Sequence, residues 1–436
     1  MTTSEVSAPI ADRIRAALPR RAFRVLALGV AHLVPAAVAA LLLAVVRGRD
    51  AARSCAYRRL TALLVRLGPT FIKAGQVLGT RRDVLPPALC DELSSLQDSA
   101  APMDLVQTRR ALVEAYGTAH PPDFARIDHR PVAAGSVACV YRGELRTGEV
   151  VALKLRRPDV ARTMTEDLAL VRRGAGIVAR LPVFRGLPVV EVVGSMSDAV
   201  LGQLDFVRES ENLRRLRENL SVVPRVWVPK VHVEQSRPRC IVMEFVPDLD
   251  AQAAQRCSPA ARRRFAASGL AAIYQMIFVD GFVHCDMHPG NLYFTASSQV
   301  VVLDAGFSVR LSERLRRLFA EFFMNMSTGN GDKCAEIVVR SAAGTGPEAD
   351  LDGFLRRMSD LVRRSHGLPA RDFSLIAFAG EMFDLQRRFG VHAAPELIFP
   401  LLSLLVIEGT IRDLDPGMDF QEAAKPILMR GLFGAK

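Results

Sequence analysis

Asp286 and Asn291 lie five positions apart in the segment HCDMHPGN, and Asp304 follows in VVVLDAG. Carboxylate and amide oxygens are hard donors of the kind Mg²⁺ takes up. Upstream, the segment VVALK ends in Lys154, a cation at the end of an apolar strand pattern. Phosphoryl transfer asks little covalent work of a protein. It asks for metal ions that neutralise phosphate charge, a cation on the phosphates and a carboxylate near the acceptor. Read in that order, Lys154 neutralises the α- and β-phosphates of ATP, and Asn291 with Asp304 holds Mg²⁺. Asp286 then orients or deprotonates an acceptor, or positions water. A VALK strand or a DAG turn alone is common; the conjunction, in order, is specific. His284 and His288 in the same segment read as loop hydrogen-bonding residues rather than a metal pair.

These residues need a strand for the lysine and rigid loops for the acids, and the surrounding pattern supplies both. From residue 127 the period switches to alternation: RPVAAGSVACVYRGEL and GEVVALKLRRP read as two strands joined at Thr147-Gly148. Helical patterns over 159–181 and 192–220 follow, then strand-like VPKVHVE and RCIVMEFV. After Pro247 the chain is mainly helical, interrupted by the HCDMHPGN loop and the short strands LYF and VVVLD. A small sheet followed by a larger helical lobe predicts an α+β, protein-kinase-like two-lobed fold. The expected organisation is an N-terminal apolar segment over 1–50, a helical extension over 51–120, an N-lobe over 121–247 and a helical C-lobe over 248–436. The glycine-rich phosphate loop of such a fold is missing. Ala133, Ala134, Gly135 and Ser136 take its place, and alanines restrict close backbone approach to phosphate.

Composition narrows the class. Half of the 436 residues are hydrophobic and a quarter charged, an ordinary globular balance. The net charge of +11 is compatible with anionic partners. No nucleic-acid module accompanies it, so a nucleic-acid partner is not expected. Seven scattered cysteines with no CxxC argue against a disulfide scaffold or zinc site and fit a reducing compartment. Residues 25–46 carry no charge and are flanked by arginines on both sides. They read as a membrane-spanning or membrane-lying helix, with a buried, partner-packed helix as the alternative. The expected location is the cytoplasmic side of a membrane, or the cytoplasm. The apolar stretch 397–406 is too short to span and is expected in the core.

The motifs LGPTFIKAGQ, AAGS, VALK, QLDFVRESEN and HCDMHPGN with DAG resemble those of the UbiB family of atypical kinases, linked to ubiquinone and related isoprenoid lipids. The resemblance runs from about residue 53 to about residue 420. It implies that Lys73, Gly75 and Gln76 form the family's KxGQ signature, which folds over the place where a protein kinase receives its peptide. It also implies that Glu209 pairs with Lys154, as a buried lysine requires a counter-charge. The chain departs from the pattern at four places. The ExD carboxylate is Gln203, leaving Asp205 alone to pair with Lys73 unless the Gln203 amide serves. Gly135 replaces the third alanine of the Ala-rich loop, Cys139 replaces a glutamine, and the metal-loop aromatic is Ala305.

Three readings of function follow. The first is an ATPase or small-molecule kinase using ATP and Mg²⁺, with an isoprenoid or quinone-type lipid, or the enzymes that make it, as partner, at a membrane surface. The second is a protein kinase acting on polypeptides. The third is a nucleotide-responsive scaffold or lipid chaperone without catalysis. The acceptor and the oligomeric state have no signature in the sequence.

Overall fold

The computed structural model describes residues 21–434, except 24, 26, 33–34, 36, 38, 40–47, 80–84, 97–100, 181–188, 248, 250–255, 288–290, 296–298 and 369–371. The chain forms two compact units, Met1–Phe206 with Gln235–Val242 and Val207–Glu234 with Met243–Lys436. Most of the apolar run 25–46 beyond residue 32, and His288, therefore lie outside the described residues.

The first unit begins with helices α1 (Arg49–Leu67), α2 (Pro69–Gly79), α3 (Pro87–Ser94) and α4 (Leu105–Tyr116). Gly68, at φ 107, takes a left-handed conformation that frees the chain to turn between α1 and α2. Leu63, Leu67 and Phe71 form a small core there, and Val25 and Leu28 pack against it. Arg21 fixes the approach of that segment: its Nε and Nη2 meet the buried Asp167 carboxylate at 2.6 and 2.8 Å. The described start of the apolar run is thus packed on protein. No described helix is long and apolar enough to cross a membrane.

Helix α4 starts at a capping box, in which Asp104 accepts from the Gln107 amide and Gln107 returns the bond. It covers one face of a five-stranded sheet. Strands β1 (Phe124–Ile127), β3 (Ala138–Leu145), β4 (Val150–Arg156) and β6 (Cys240–Glu244) lie in that order, with β2 (Ala133–Ala134) beside β3. Alternation along β3 and β4 buries Cys139, Tyr141, Leu153 and Leu155 in one core with Cys240 and Val242. Tyr141 satisfies its hydroxyl against Thr108 Oγ1 at 2.7 Å. Helices α5 (Val160–Val178) and α6 (Val189–Gly202) complete the unit.

The helical pattern read over 192–220 is two helices, α6 and α7 (Phe206–Leu220). The break has a cause in the packing. Arg156 Nη1 takes the Leu204 carbonyl at 2.9 Å, an oxygen a continuous helix would use internally. VPKVHVE also departs from expectation. Strand β5 (Val226–Trp227) ends just before it, and its own contribution is a single bridge, Val231 to Met243. Pro229 has no N–H to give a ladder.

The second unit carries α7 and then α8 (Pro259–Tyr274), which runs into a π-helical turn, Gln275–Asp280. Short strands β7 (Phe282–His284), β8 (Leu292–Phe294), β9 (Val300–Val302) and β10 (Ser308–Arg310) form the loop platform. β8 pairs antiparallel with β9, β5 parallel with β9, and β10 antiparallel with β7. Helices α9 (Glu313–Ser327), α10 (Gly331–Ser341), α11 (Leu351–Ser365), α12 (Leu375–Arg388), α13 (Pro395–Leu414) and α14 (Phe420–Phe433) surround it, with a small pair β11 (Gly344–Thr345) and β12 (Val391–His392). Leu401, Leu402, Leu404 and Leu405 are buried on α13, as expected for the stretch 397–406. Five of the seven cysteines are buried and all are free.

Candidate active site

The candidate residues divide between the two units. Lys73, Gly75, Gln76, Ala133, Ala134, Gly135, Ser136, Lys154, Gln203 and Asp205 belong to the first, and Glu209, Asp286, Asn291 and Asp304 to the second.

In the first unit, Lys154 sits on β4 opposite Val140 of β3. Its neighbours Leu153 and Leu155 point into the core, so alternation sends the ammonium to the other face of the sheet. There Nζ lies 5.4 Å from the centre of the Phe206 ring, within cation–π range. The Ala-rich segment is a tight hairpin. Ala133 and Ala134 pair with Val140 and Cys139, and the Gly135 amide donates to the Ala138 carbonyl at 2.9 Å. Ser136 is buried. Arg157 clamps this turn from the end of β4. Its Nε donates to the Gly135 carbonyl at 2.8 Å and its Nη2 to the Ala101 carbonyl at 2.6 Å. Nothing in the motif pattern marks Arg157, and only its place beside the lysine strand hints at that role. Cys139 is fully buried in the sheet core, so its departure from the family glutamine concerns packing.

The KxGQ residues hold the helical extension together. Gly75 lies where a Cβ would stand 2.5 Å from Leu96 Cδ1 and 2.9 Å from Leu64 Cδ1. Glycine permits that approach. Gln76 Nε2 donates to the Leu96 carbonyl at 2.9 Å. Lys73 is half-buried on the same helix. Gln203 and Asp205 lie in the break between α6 and α7, where the Asp205 amide donates to the Gly202 carbonyl at 3.2 Å.

In the second unit the acids are brought together by one buried imidazole. His284 ends β7, fully enclosed. Its Nδ1 accepts the Asp286 amide proton at 3.0 Å, so its proton lies on Nε2, which donates to the Asp304 carbonyl. The loop-bonding reading of His284 therefore holds. Asn291 Nδ2 donates to the Asp286 carbonyl at 2.9 Å and to Asp286 Oδ2 at 3.3 Å. With its NH₂ group so engaged, the amide turns Oδ1 the other way, as a metal donor would need. The Leu303 amide donates to the Asn291 carbonyl at 2.9 Å, tying the Asp304 loop to the Asp286 loop.

Asp304 adopts φ 56, a left-handed conformation that aspartate tolerates better than most residues. Its Oδ1 accepts the Gly306 amide at 2.9 Å. The next residue, Ala305, is fully buried, and its carbonyl receives Asn212 Nδ2 at 2.9 Å and Ser308 Oγ at 3.2 Å. The aromatic anchor absent at Ala305 is found two residues later. Phe307 meets Phe399 edge-on at 4.8 Å. Ser403, from α13, donates to the His284 carbonyl at 2.8 Å. Ser403 escaped sequence reasoning, and Asn212 closed the motif QLDFVRESEN without being given a role. Asn212 lies three positions after the buried Glu209, on the same face of α7, which was the available signal. For Ser403 there was none.

Among the described residues, no cluster of three His, Cys, Asp or Glu side chains could hold a metal. Mg²⁺ does not need one, because it is commonly held by one or two protein oxygens with phosphates and waters. The donor set of Asn291 and Asp304 fits that pattern.

Residues 95–338 match the ABC1 atypical kinase-like domain, and residues 358–419 match the UbiB helical domain. The chain is 32% identical over 380 residues to "Probable protein kinase UbiB" of Tolumonas auensis, covering 85% of this chain and 70% of that one. The same-named protein of Azotobacter vinelandii is 32% identical over 383 residues, again covering 85% and 70%. That of Pseudomonas fluorescens is 33% identical over 388 residues, covering 85% and 71%. The solved complex of Rv3197 with erythromycin from Mycobacterium tuberculosis shares the fold, with a TM-score of 0.57 at 19% identity over 83% of this chain and 92% of that one. With more than half its length in the kinase-like domain and the helical domain behind it, this chain belongs to the ABC1/UbiB family of atypical kinase-like proteins.

Proposed function

We propose that the protein binds MgATP and turns it over as an atypical kinase or ATPase that supports ubiquinone or related isoprenoid-lipid synthesis. The observation that carries this reading is the fixed loop pair in the second unit. One buried imidazole holds the Asp286 amide and the Asp304 carbonyl together, and Asn291 binds Asp286 from the same loop. Such preorganisation is what phosphoryl transfer requires of a protein.

In this reading Lys154 neutralises the α- and β-phosphates and Glu209 is its counter-charge. Asn291 and Asp304 supply the oxygens for Mg²⁺. Asp286 accepts a hydrogen bond from the attacking hydroxyl or water and takes its proton. Bound MgATP supplies the γ-phosphoryl group and the metal charge that neutralises it. The clamped Ala-rich turn supports ATP affinity by holding a fixed backbone over the phosphates. In the same reading, the arginines flanking the run 25–46 would draw the protein to an anionic membrane surface, where an isoprenoid partner would reside.

Equilibrium titration with a fluorescent ATP analogue, with and without Mg²⁺, tests the binding part. Wild type should bind more tightly with Mg²⁺, and Asp304→Asn should lose that gain. Equal affinity of the two proteins at every Mg²⁺ concentration would overturn the assignment.

A further inference from the structure

On helix α7, Asn212 lies one turn from the buried Glu209 on one side and one turn from Arg215 on the other. Two of these side chains grip the loop platform of the second unit. Arg215 sets its guanidinium 5.1 Å from the centre of the Phe282 ring, on the strand that ends in His284. Asn212 Nδ2 donates to the Ala305 carbonyl at 2.9 Å. That carbonyl and the Gly306 N–H belong to one planar peptide, in which they point opposite ways, so holding one aims the other. The N–H is aimed at Asp304 Oδ1, 2.9 Å away. With the Asp304 backbone at φ 56, this bond sets the tilt of the carboxyl plane and hence where Oδ2 points. Ser308 Oγ reaches the same carbonyl from the start of β10 at 3.2 Å, the longer of the two bonds. Ala305 is fully buried, so bulk water cannot stand in for the Asn212 amide.

We propose that Asn212 is a positioning residue, which orients the Asp304 carboxylate toward Mg²⁺ by holding the peptide between Ala305 and Gly306. The helix that bears Glu209 thereby also sets the geometry of the Asp304 loop. The consequence for Mg²⁺ rests on the MgATP reading above, whereas the hold on the peptide stands on the hydrogen bonds alone. A ligating carboxylate that loses the groups orienting it binds metal about tenfold to a hundredfold less tightly.

Asn212→Leu keeps the shape of the side chain and its fitness for a helix but removes the donor. Hydrogen exchange of the full chain, without nucleotide or Mg²⁺, is read by mass spectrometry on fragments spanning residues 303–308. Exchange there should quicken about tenfold in the variant, as the loss of one hydrogen bond predicts. Fragments from α9 to α14 should exchange as in wild type. Titration with a fluorescent ATP analogue gives the second readout. Without Mg²⁺ the variant should match wild-type affinity, and the gain on adding Mg²⁺ should fall about tenfold. A merely structural role would weaken binding to the same degree in both conditions, and that result overturns the inference. So does unchanged exchange over residues 303–308, whatever the nucleotide data. Faster exchange with a full Mg²⁺ gain also rejects it, while leaving the MgATP reading standing. A wild type with no Mg²⁺ gain instead defeats the MgATP reading itself, and the metal role of Asn212 with it. Should the leucine variant fail to fold, Asn212→Ala decides by the same criteria.

Discussion

The Nδ1 of His284 accepts the backbone proton of Asp286 at 3.0 Å. A fully buried ring thereby sets the position of the carboxylate proposed to face the acceptor, and its other nitrogen holds the Asp304 carbonyl. Positioning of this kind is worth more to a rate than to binding, since displacement by an ångström is enough to spoil an in-line attack.

His284→Ala should therefore cost both stability and turnover. It removes the imidazole partner of a part-buried N–H and of a part-buried C=O, at up to about 1–3 kcal/mol each. It also leaves a cavity under two loops. Urea unfolding should show the loss of stability, and ATP hydrolysis at saturating substrate should fall more than tenfold in the fraction that stays folded. Wild-type turnover in folded His284→Ala would show that the ring has no positioning role.

Much of this loop was legible from the chain. Asp286, Asn291 and Asp304 stood out by residue type and spacing, and the structure ties their two loops together through His284. The β3–β4 hairpin was equally legible, since Gly148 at φ 85 and strict alternation leave few other conformations. What escaped depends on contacts between residues distant in sequence. Ser403 reaches the His284 carbonyl from more than a hundred positions away, and no local pattern marks a serine in an apolar helix as a partner for a loop. The break between α6 and α7 was hidden for the same reason, as the oxygen that ends the helix is claimed by Arg156 from a strand. In the KxGQ segment, resemblance supplied the motif. It took the structure to show that Gly75 and Gln76 act inside the helical extension, against Leu64 and Leu96.

Gly75→Ala should destabilise the extension. Its new Cβ would meet Leu96 Cδ1 at 2.5 Å and Leu64 Cδ1 at 2.9 Å. Overpacking costs about 1–3 kcal/mol, and both contacts are flexible leucine ends, which favours the low end of that range. Leu96→Ala, which removes the closer contact, costs stability by itself, and the double variant should lose less than the sum of the two single losses. Denaturant unfolding of the single and double variants checks this; additive losses would show that the two positions do not meet.

Arg157 offers a test of the Ala-rich turn. Arg157→Ala removes the bonds to the Gly135 and Ala101 carbonyls while leaving Lys154 in place. The KM for ATP should rise about threefold to tenfold with kcat little changed, the pattern of lost uniform binding. Arg157→Lys should recover little, because an ammonium cannot reproduce the two-pronged geometry. An unchanged KM in Arg157→Ala would mean that the turn needs no clamp.

Asp280, at the end of the π-helical turn, gives the unit a pH dependence. Burial pushes its carboxyl up to about 6 from an ordinary 3.8, against the opposing pull of a Gln275 hydrogen bond and of Arg215, Arg316 and Arg430. The folded state then holds the proton more tightly than the unfolded chain does. Stability contributed at this position falls as pH rises from about 3.8 to about 6, and stays at the lower level above that. Asp280→Asn should stabilise the protein more at pH 7 than at pH 4.5, read as the shift in urea midpoint at each pH. A shift of equal size at both values would rule out titration of Asp280 in this window.

The measurement closest to the central claim is Mg²⁺-dependent ATP hydrolysis by purified wild type and Asp304→Asn, each first shown to be folded by its thermal midpoint. Asp304 sits in a left-handed turn with its Oδ1 already fixed by the Gly306 amide, and asparagine can keep that bond while losing the charge. The account predicts turnover in wild type that requires Mg²⁺, and a loss of at least a hundredfold in Asp304→Asn, on the order of 3 kcal/mol of transition-state stabilisation. Equal Mg²⁺-dependent turnover in the two proteins would contradict it.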